Sequence, residues 1–132
     1  MIVVDTQILV HAATENPLAH LAAGVRGKDA EWHTSPLWRT EFRSMLAGAL
    51  RRGALGMEAG LRAFALAERH LKSEVPVDTA ALLALVSRSR CSAYDLEFVA
   101  VAQALGVRLV TNDKQILADF PTIAISPEAF AA

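Results

Sequence analysis

The chain has 132 residues, 53% of them hydrophobic and 20% charged, which predicts one compact domain over residues 1–132 with enough apolar surface to offset its ordering entropy. Thirteen basic residues against fourteen acidic ones give a formal charge of −1, so no overall positive field advertises a nucleic-acid partner and any such partner needs a local patch. The single cysteine, Cys91, excludes an internal disulfide and a cysteine-rich zinc site and points to the cytoplasm, while Ala80–Val86, the longest apolar run, is too short for a membrane span.

In chain order, the β-branched run Met1–Val4 ends at an acid and reads as a buried strand. Helices are expected over Gln7–Ala13 and Pro17–Val25, and a second short strand over Glu31–Thr34. Ser35-Pro36 then supplies an N-cap and a proline at the first helical position. The helix that follows carries Phe42, Met45, Leu46, Ala49 and Leu50 on one stripe and stops at Gly53. Met57–Leu71 reads as another helix, with Glu58/Arg62 and Glu68/Lys72 as i, i+4 pairs. Glu74–Val77 reads as a third strand, near an edge because of Pro76. Helices over Thr79–Arg88, Ala93–Leu105 and Lys114–Phe120 and strands over Leu109–Thr111 and Ile123–Ile125 complete the chain. Strands alternating with helices predict an α/β fold of three layers, α/β/α, around a mostly parallel central sheet.

In such sheets ligands bind beyond the carboxyl ends of the strands, and the residues met there are acids. Asp5 ends the first strand, Asp113 follows the strand Leu109–Thr111, and the adjoining helices bring in Glu41 and Asp95. Asp5, Asp113 and the Ser92–Asp95 box also sit where helix caps are wanted. Glu41 has no such role, and flanks the apolar stripe of its helix beside Trp38 and Met45. Carboxylates crowded in a partly buried place repel, and proton uptake or a bound cation relieves them. Oxygen-only ligation selects Mg²⁺ or Mn²⁺, and no Cys or paired-His spacing supports zinc. Such a site suits activation of water against a phosphodiester.

The segments Ile2-Val3-Val4-Asp5-Thr6, Thr40-Glu41-Phe42, Tyr94-Asp95 through Ala100, and Leu105-Gly106-Val107 leading into Leu109-Val110-Thr111-Asn112-Asp113 resemble the PIN-domain ribonucleases, and most closely the VapC-type toxins of toxin–antitoxin pairs. The likeness runs from Ile2 to about Leu117, with the four acids 36, 54 and 18 residues apart. It implies a PIN-like fold and a Mg²⁺- or Mn²⁺-dependent endoribonuclease in which Asp5, Glu41, Asp95 and Asp113 serve as metal-binding catalytic carboxylates, with Asp5 and Asp95 as the leading ligands. It further implies an RNA substrate, a cognate antitoxin protein and a homodimer, with Phe64 and Leu66 as candidates for an exposed apolar patch. Thr6 fits the small hydroxyl residue that follows the first acid and is expected to orient Asp5. Ser44 stands where many members carry Asn, and Gln7 replaces the commoner Ser or Asn.

Arg39 and Arg43 on the flank of the long helix, Arg51 and Arg52 at its C-terminal end, and Lys114 beside Asp113 are placed to contact RNA phosphates, against the alternatives of a solvated helix face for Arg39 and Arg43 and of complementing the helix dipole for Arg51 and Arg52. His11, His20, His33 and His70 have no ligand spacing, and Trp32 and Trp38 read as core anchors. Two other functions fit the same pattern. A non-catalytic PIN-like binding module would keep the fold without the chemistry. A receiver-like phospho-acceptor would use the acid after the first strand and Asp113-Lys114, but the chain lacks the acidic pair and the acceptor Asp of such domains.

Overall fold

A computed structural model describes all 132 residues. Five parallel strands form the sheet: β1 (Ile2–Val4), β2 (Trp32–Thr34), β3 (Leu71–Glu74), β4 (Leu109–Val110) and β5 (Ala124–Ile125), in the order β3-β2-β1-β4-β5. Eight helices surround it: α1 (Thr6–Ala13), α2 (Ala19–Lys28), α3 (Leu37–Arg51), α4 (Met57–His70), α5 (Thr79–Val86), α6 (Ala93–Leu105), α7 (Lys114–Asp119) and α8 (Pro127–Ala131). The three-layer α/β/α architecture is therefore as expected, and the sheet is parallel throughout.

Right-handed crossovers assign the layers. The chain steps from β1 to β2 to β3 in one direction, which carries α1 to α4 to one face. It then crosses from β3 to β4 and on to β5 in the other direction, which carries α5 to α7 to the opposite face. The packing agrees: α1 lies on α2, α3 and α4, whereas α6 packs on α5, β1 and β4. β1, flanked on both sides, is Ile-Val-Val with all three side chains buried, the unbroken apolar run that a parallel strand covered on both faces needs. One core cluster runs from Ile2 to Ala124. On the α3/α4 side it is organised by aromatic rings: Phe64 stacks on Trp38 at 4.9 Å, and Phe42 meets each edge-on at 5.7 Å. Contacts of this kind contribute roughly 0.5–1.5 kcal/mol each beyond the area they bury. Phe64 is thus a half-buried core ring and Leu66 is half-buried too, so neither is part of an exposed patch; the open apolar side chains are Met1 and Leu18, Met57 and Leu61 on α4, Leu83 and Val86 on α5, and Tyr94 on α6.

Helix starts follow the sequence closely. Ser35 Oγ accepts from Leu37 N at 3.2 Å, Ser92 Oγ accepts from Asp95 N at 3.1 Å, and Gly53 and Gly106 close α3 and α6 with positive φ, where a side chain would be strained. Differences fall where local pattern and tertiary demand conflict. The third strand lies over Leu71–Glu74, three residues before the expected Glu74–Val77, because pairing with β2 starts as α4 ends and the N–H-less Pro76 stops it just after Val75 N bonds Thr34 O at 2.8 Å. α4 accordingly ends at His70, Lys72 is in a strand, and Glu68 pairs with Arg39 instead. Of the two expected i, i+4 pairs only Glu58–Arg62 is present, at 3.9 Å. Asn16 Oδ1 accepts from Leu18 N in a turn that delays α2 to Ala19. The terminal α8 has a Ser126 cap and Pro127 in its first turn, signals that sequence reasoning passed over. No helix is long and apolar enough to cross a membrane.

Candidate active site

The strand order reverses between β1 and β4, and in parallel sheets that point opens a crevice beyond the strand ends. There the protein has a groove of about 600 Å³ lined by Asp5, Glu41, Asp95 and Asp113, together with Thr6, Gln7, Ser44 and Asn112. Four acids from four separate chain segments therefore meet in one place, as their positions after β1, in α3, in α6 and after β4 predict.

Asp5 has two roles at once. Its Oδ1 accepts from Ile8 N at 3.0 Å, capping α1, while Oδ2 accepts from the hydroxyl of Thr111, a fully buried residue at the end of β4. Burial pushes the Asp5 carboxyl up to about 6, with the charges of Glu41 and Asp113 adding to the rise and the two hydrogen bonds opposing it. Asp113 Oδ1 likewise caps α7 through Ile116 N at 2.9 Å, and Asp113 N donates to Thr111 Oγ1 at 3.0 Å. Glu41 is half-buried and its carboxyl is raised, first by burial and then by the charges of Asp95 and Glu97. Asp95 stands at the third position of α6; its backbone N–H uses the Ser92 cap, and its carboxylate is left free of hydrogen bonds within the protein.

Thr6 does not orient Asp5 as its position suggests. Its Oγ1 donates to Glu41 Oε1 at 2.6 Å, because as the first residue of α1 it points across the groove toward α3. Thr111 does that work instead. The one signal for it was a small hydroxyl residue at a strand end two positions before an acid, the pattern of a short side-chain turn. Ser44 is exposed on the groove wall and Gln7 lies beside it. Glu97, two residues after Asp95, is a further carboxylate near Glu41, held by Ser35 Oγ at 2.9 Å.

Arg39, Arg43, Arg51, Arg52 and Lys114 do not line the groove. Arg39 is a structural clamp: its Nε and Nη2 donate to Glu74 at 2.7 and 3.0 Å and its Nη1 to Glu68 at 2.9 Å, joining α3 to β3 and α4. Three of its five N–H donors are thus engaged within the protein, and those contacts hold its guanidinium above the ordinary arginine range. Arg43 lies over Phe64 at 5.3 Å, and Lys114 is exposed beside Asp113.

The donor set is all oxygen, as a hard cation requires, and a raised Asp5 carboxyl is what a buried acid without a counter-charge shows. As placed, no three His, Cys, Asp or Glu side chains converge closely enough to hold a metal ion. Three of the four turn to neutral donors, Asp5 and Asp113 to helix N–H groups and Glu41 to Thr6, while the Asp95 carboxylate has none. The residues fit a cation such as Mg²⁺, which takes one or two carboxylates and keeps several waters.

Comparison with protein families matches the PIN domain model to residues 2–121 of this chain. Comparison with curated proteins finds no match.

Proposed function

Since the chain belongs to the PIN domain family, a nuclease-type fold that is generally metal-dependent, we propose that it is a Mg²⁺- or Mn²⁺-dependent endoribonuclease, one domain over residues 1–132, acting as the VapC-type toxin of a toxin–antitoxin pair. The observation that carries this reading is the groove at the β1/β4 switch point, where Asp5, Glu41, Asp95 and Asp113 gather from four segments.

Asp5 and Asp95 would be the leading ligands. Asp5 is held in place by Thr111 and Ile8, and Asp95 has a carboxylate that no group of the protein uses. Glu41 and Asp113 border them, each steered by one hydrogen bond. A bound divalent ion would lower the pKa of a water and offset the negative charge that grows on the phosphoryl and leaving oxygens. The protein's share is placement: Thr111 and Thr6 fix the Asp5 and Glu41 carboxylates, and a strand of RNA would lie along the groove between them. Hydrolysis forms a bond from a water oxygen to phosphorus and breaks the bond to the 3′ oxygen, leaving a 5′-phosphate and a 3′-hydroxyl.

The two exposed apolar patches suit two protein partners. α5 has no charged residue from Thr79 to Val86 and packs on α6, so its exposed Leu83 and Val86, together with the exposed Tyr94 of α6, suit contact with a second copy of the chain. Met57 and Leu61 lie on α4 beside Glu58 and Arg62, a mixed face better matched to an antitoxin segment.

The test is cleavage of RNA by the purified chain with Mn²⁺, and its suppression by the product of the adjacent gene. Metal-dependent cutting that produces 5′-phosphate ends supports the reading. A protein that binds neither Mn²⁺ nor cuts RNA is instead a non-catalytic PIN module, a reading favoured by the separation of the acids. Cutting that the neighbouring product does not suppress removes the toxin role and keeps the nuclease.

A further inference from the structure

A second hollow, of about 490 Å³, is lined by polar residues alone: Ser87, Arg88, Ser89, Arg90, Gln115 and Asp119. Its floor is the turn that joins α5 to α6, and that turn is locked. Ser89 Oγ donates to Asp119 Oδ2 at 2.6 Å and accepts from Cys91 N at 3.1 Å, while Gln115 Nε2 donates to Asp119 Oδ1 at 2.9 Å. Both oxygens of Asp119 are thereby occupied by neutral donors. Neither Arg88 nor Arg90 forms an ion pair. Both are exposed, and Arg88 is steadied over the Phe120 ring at 5.5 Å. Two guanidiniums against one carboxylate leave the hollow positive.

Two of its residues are near the carboxylates in sequence. Gln115 follows Asp113 by two residues in the first turn of α7, and Arg90 precedes Asp95 by five. The Cys91 thiol, pushed up first by burial, is raised further by the charges of Asp113, Asp119 and Asp95, so it is near acids of both hollows. An RNA strand laid along a groove with four carboxylates is repelled by them, and its affinity must come from phosphate contacts at the margins. Arg39 is committed to Glu74 and Glu68, Arg43 lies over the Phe64 ring and Arg108 donates to the carbonyls of Ile123 and Ala124, so Lys114, Arg90 and Arg88 are the cations near Asp113 and Asp95 in sequence that have no polar partner in the protein. Paired guanidiniums with serine hydroxyls and an amide are the donors that recognise phosphate, the arginines by their bidentate fork.

We propose that Arg88 and Arg90, on the turn locked by Ser89 and Asp119, form a cradle for an RNA backbone phosphate flanking the one that is cut. The proposal rests on the nuclease reading above and names the substrate contact that the carboxylates cannot supply. Arg88 and Arg90 position the strand and take no part in bond breaking.

The test is binding of a fluorescent single-stranded RNA in chelator, where no cutting occurs, over a series of KCl concentrations. For the double variant R88Q/R90Q the slope of log affinity against log salt should fall by at least about 0.7, the value for one phosphate on a single strand, and affinity at 0.1 M salt should drop about five-fold or more. R88K/R90K keeps the charges and should keep the slope. R51Q/R52Q, an equal charge change at the far end of α3, should leave it at the parent value. Because Arg88 also packs on Phe120, R90Q alone should show part of the loss at the parent's melting temperature. An unchanged slope in R88Q/R90Q, or an equal loss in R51Q/R52Q, overturns the cradle. Cleavage by the parent with Mn²⁺ separates the two failures: cutting with an unchanged slope removes the cradle alone, and a parent that neither binds nor cuts RNA removes the nuclease reading and the cradle with it.

Discussion

Thr111 and Asp5, 106 residues apart in sequence, are joined across the switch point of the sheet by a hydrogen bond from the threonine hydroxyl to the Asp5 carboxylate. The same hydroxyl accepts from the backbone N–H of Asp113. One buried oxygen at the end of β4 thus sets both the acid after β1 and the acid that opens α7. Thr111→Val keeps the shape and removes the donor and acceptor. Asp5 should then titrate above about 6, since the Thr111 bond is the largest influence holding it down, and the fold should lose about 1–3 kcal/mol for the polar groups left unpaired. Thr111→Ser should recover most of both. Carbon-detected titration of the Asp5 carboxyl together with urea unfolding reads the two effects; an unmoved pKa would show that the bond is not made in solution.

The raised Asp5 carboxyl also fixes a sign. Between the ordinary value of 3.8 and about 6, the folded protein holds a proton that the unfolded chain has released. Protons therefore favour the native state in that window, and stability of the metal-free protein should fall as pH rises through it and level off above, by at most about 3 kcal/mol. Glu41, also raised, acts in the same direction. Asp5→Asn should flatten the profile. Mn²⁺ must displace the proton, so its affinity should weaken roughly tenfold per pH unit below about 6. Melting temperatures from pH 4 to 8 with and without Mn²⁺ test both; apo stability that climbs across the window contradicts the assignment.

What local chemistry controls was legible in the chain. Ala93–Leu105 is bounded by Ser92 and Gly106 and forms as expected, and the three acids after strand ends or helix caps fall in one groove because a parallel sheet sends its strand ends to one side. What depends on partners distant in sequence was not. Leu71–Glu74 carries little strand signal and is a strand because β2 has an open edge beside it. Thr6 bonds Glu41 and leaves Asp5 to Thr111, a choice set by the angle between α1 and α3 that no local pattern encodes. Arg39 looked like a solvent-facing base until Glu74, placed by that same short strand, took its guanidinium.

Arg39 offers a test of that last point. Its bonds to Glu74 and Glu68, and the Trp38 Nε1 bond to the same Glu74 at 2.6 Å, tie α3 to α4 and β3. Arg39→Gln should lower stability by about 1–3 kcal/mol, the range for charged hydrogen bonds with allowance for partial exposure. Glu74, held low chiefly by Arg39, should return toward the usual carboxylate range. The salt dependence of RNA binding should stay at the parent value. A loss of RNA affinity without a loss of stability would restore Arg39 as a substrate contact.

The α5–α6 face makes a separate expectation. Leu83 is 58% and Tyr94 67% exposed, with Val86 one turn from Leu83, an apolar surface that a homodimer would cover. The parent should sediment as a dimer at tens of micromolar, roughly the range of modest self-association. Leu83→Glu places like charges opposite one another across a twofold interface and should give a monomer of unchanged melting behaviour. A parent that is monomeric at that concentration, or a dimer indifferent to Leu83→Glu, places the contact elsewhere or removes it.

The capping and metal readings of the acids make opposite predictions only if each acid has one role, and the structure gives the acids different combinations. Asp113 caps α7 with Oδ1 and borders the groove, whereas the Asp95 carboxylate caps nothing and only borders it. Asparagine caps about as well as aspartate, and alanine does not. Asp113→Ala should therefore cost about 0.5–2 kcal/mol and Asp113→Asn almost none. Asp95→Ala and Asp95→Asn should leave the metal-free fold as stable as the parent or slightly more so, since each removes a charge that raises Glu41. All four variants should bind Mn²⁺ more weakly and cut RNA more slowly, because each removes a negative oxygen from the groove. Thermal melts, Mn²⁺ titration and RNA cleavage on this set of four separate the two roles residue by residue. An Asp95→Asn protein that still binds Mn²⁺ and cuts RNA at the parent's rate would take Asp95 out of the metal site, and the same result for all four would reduce the carboxylates to caps and surface charge.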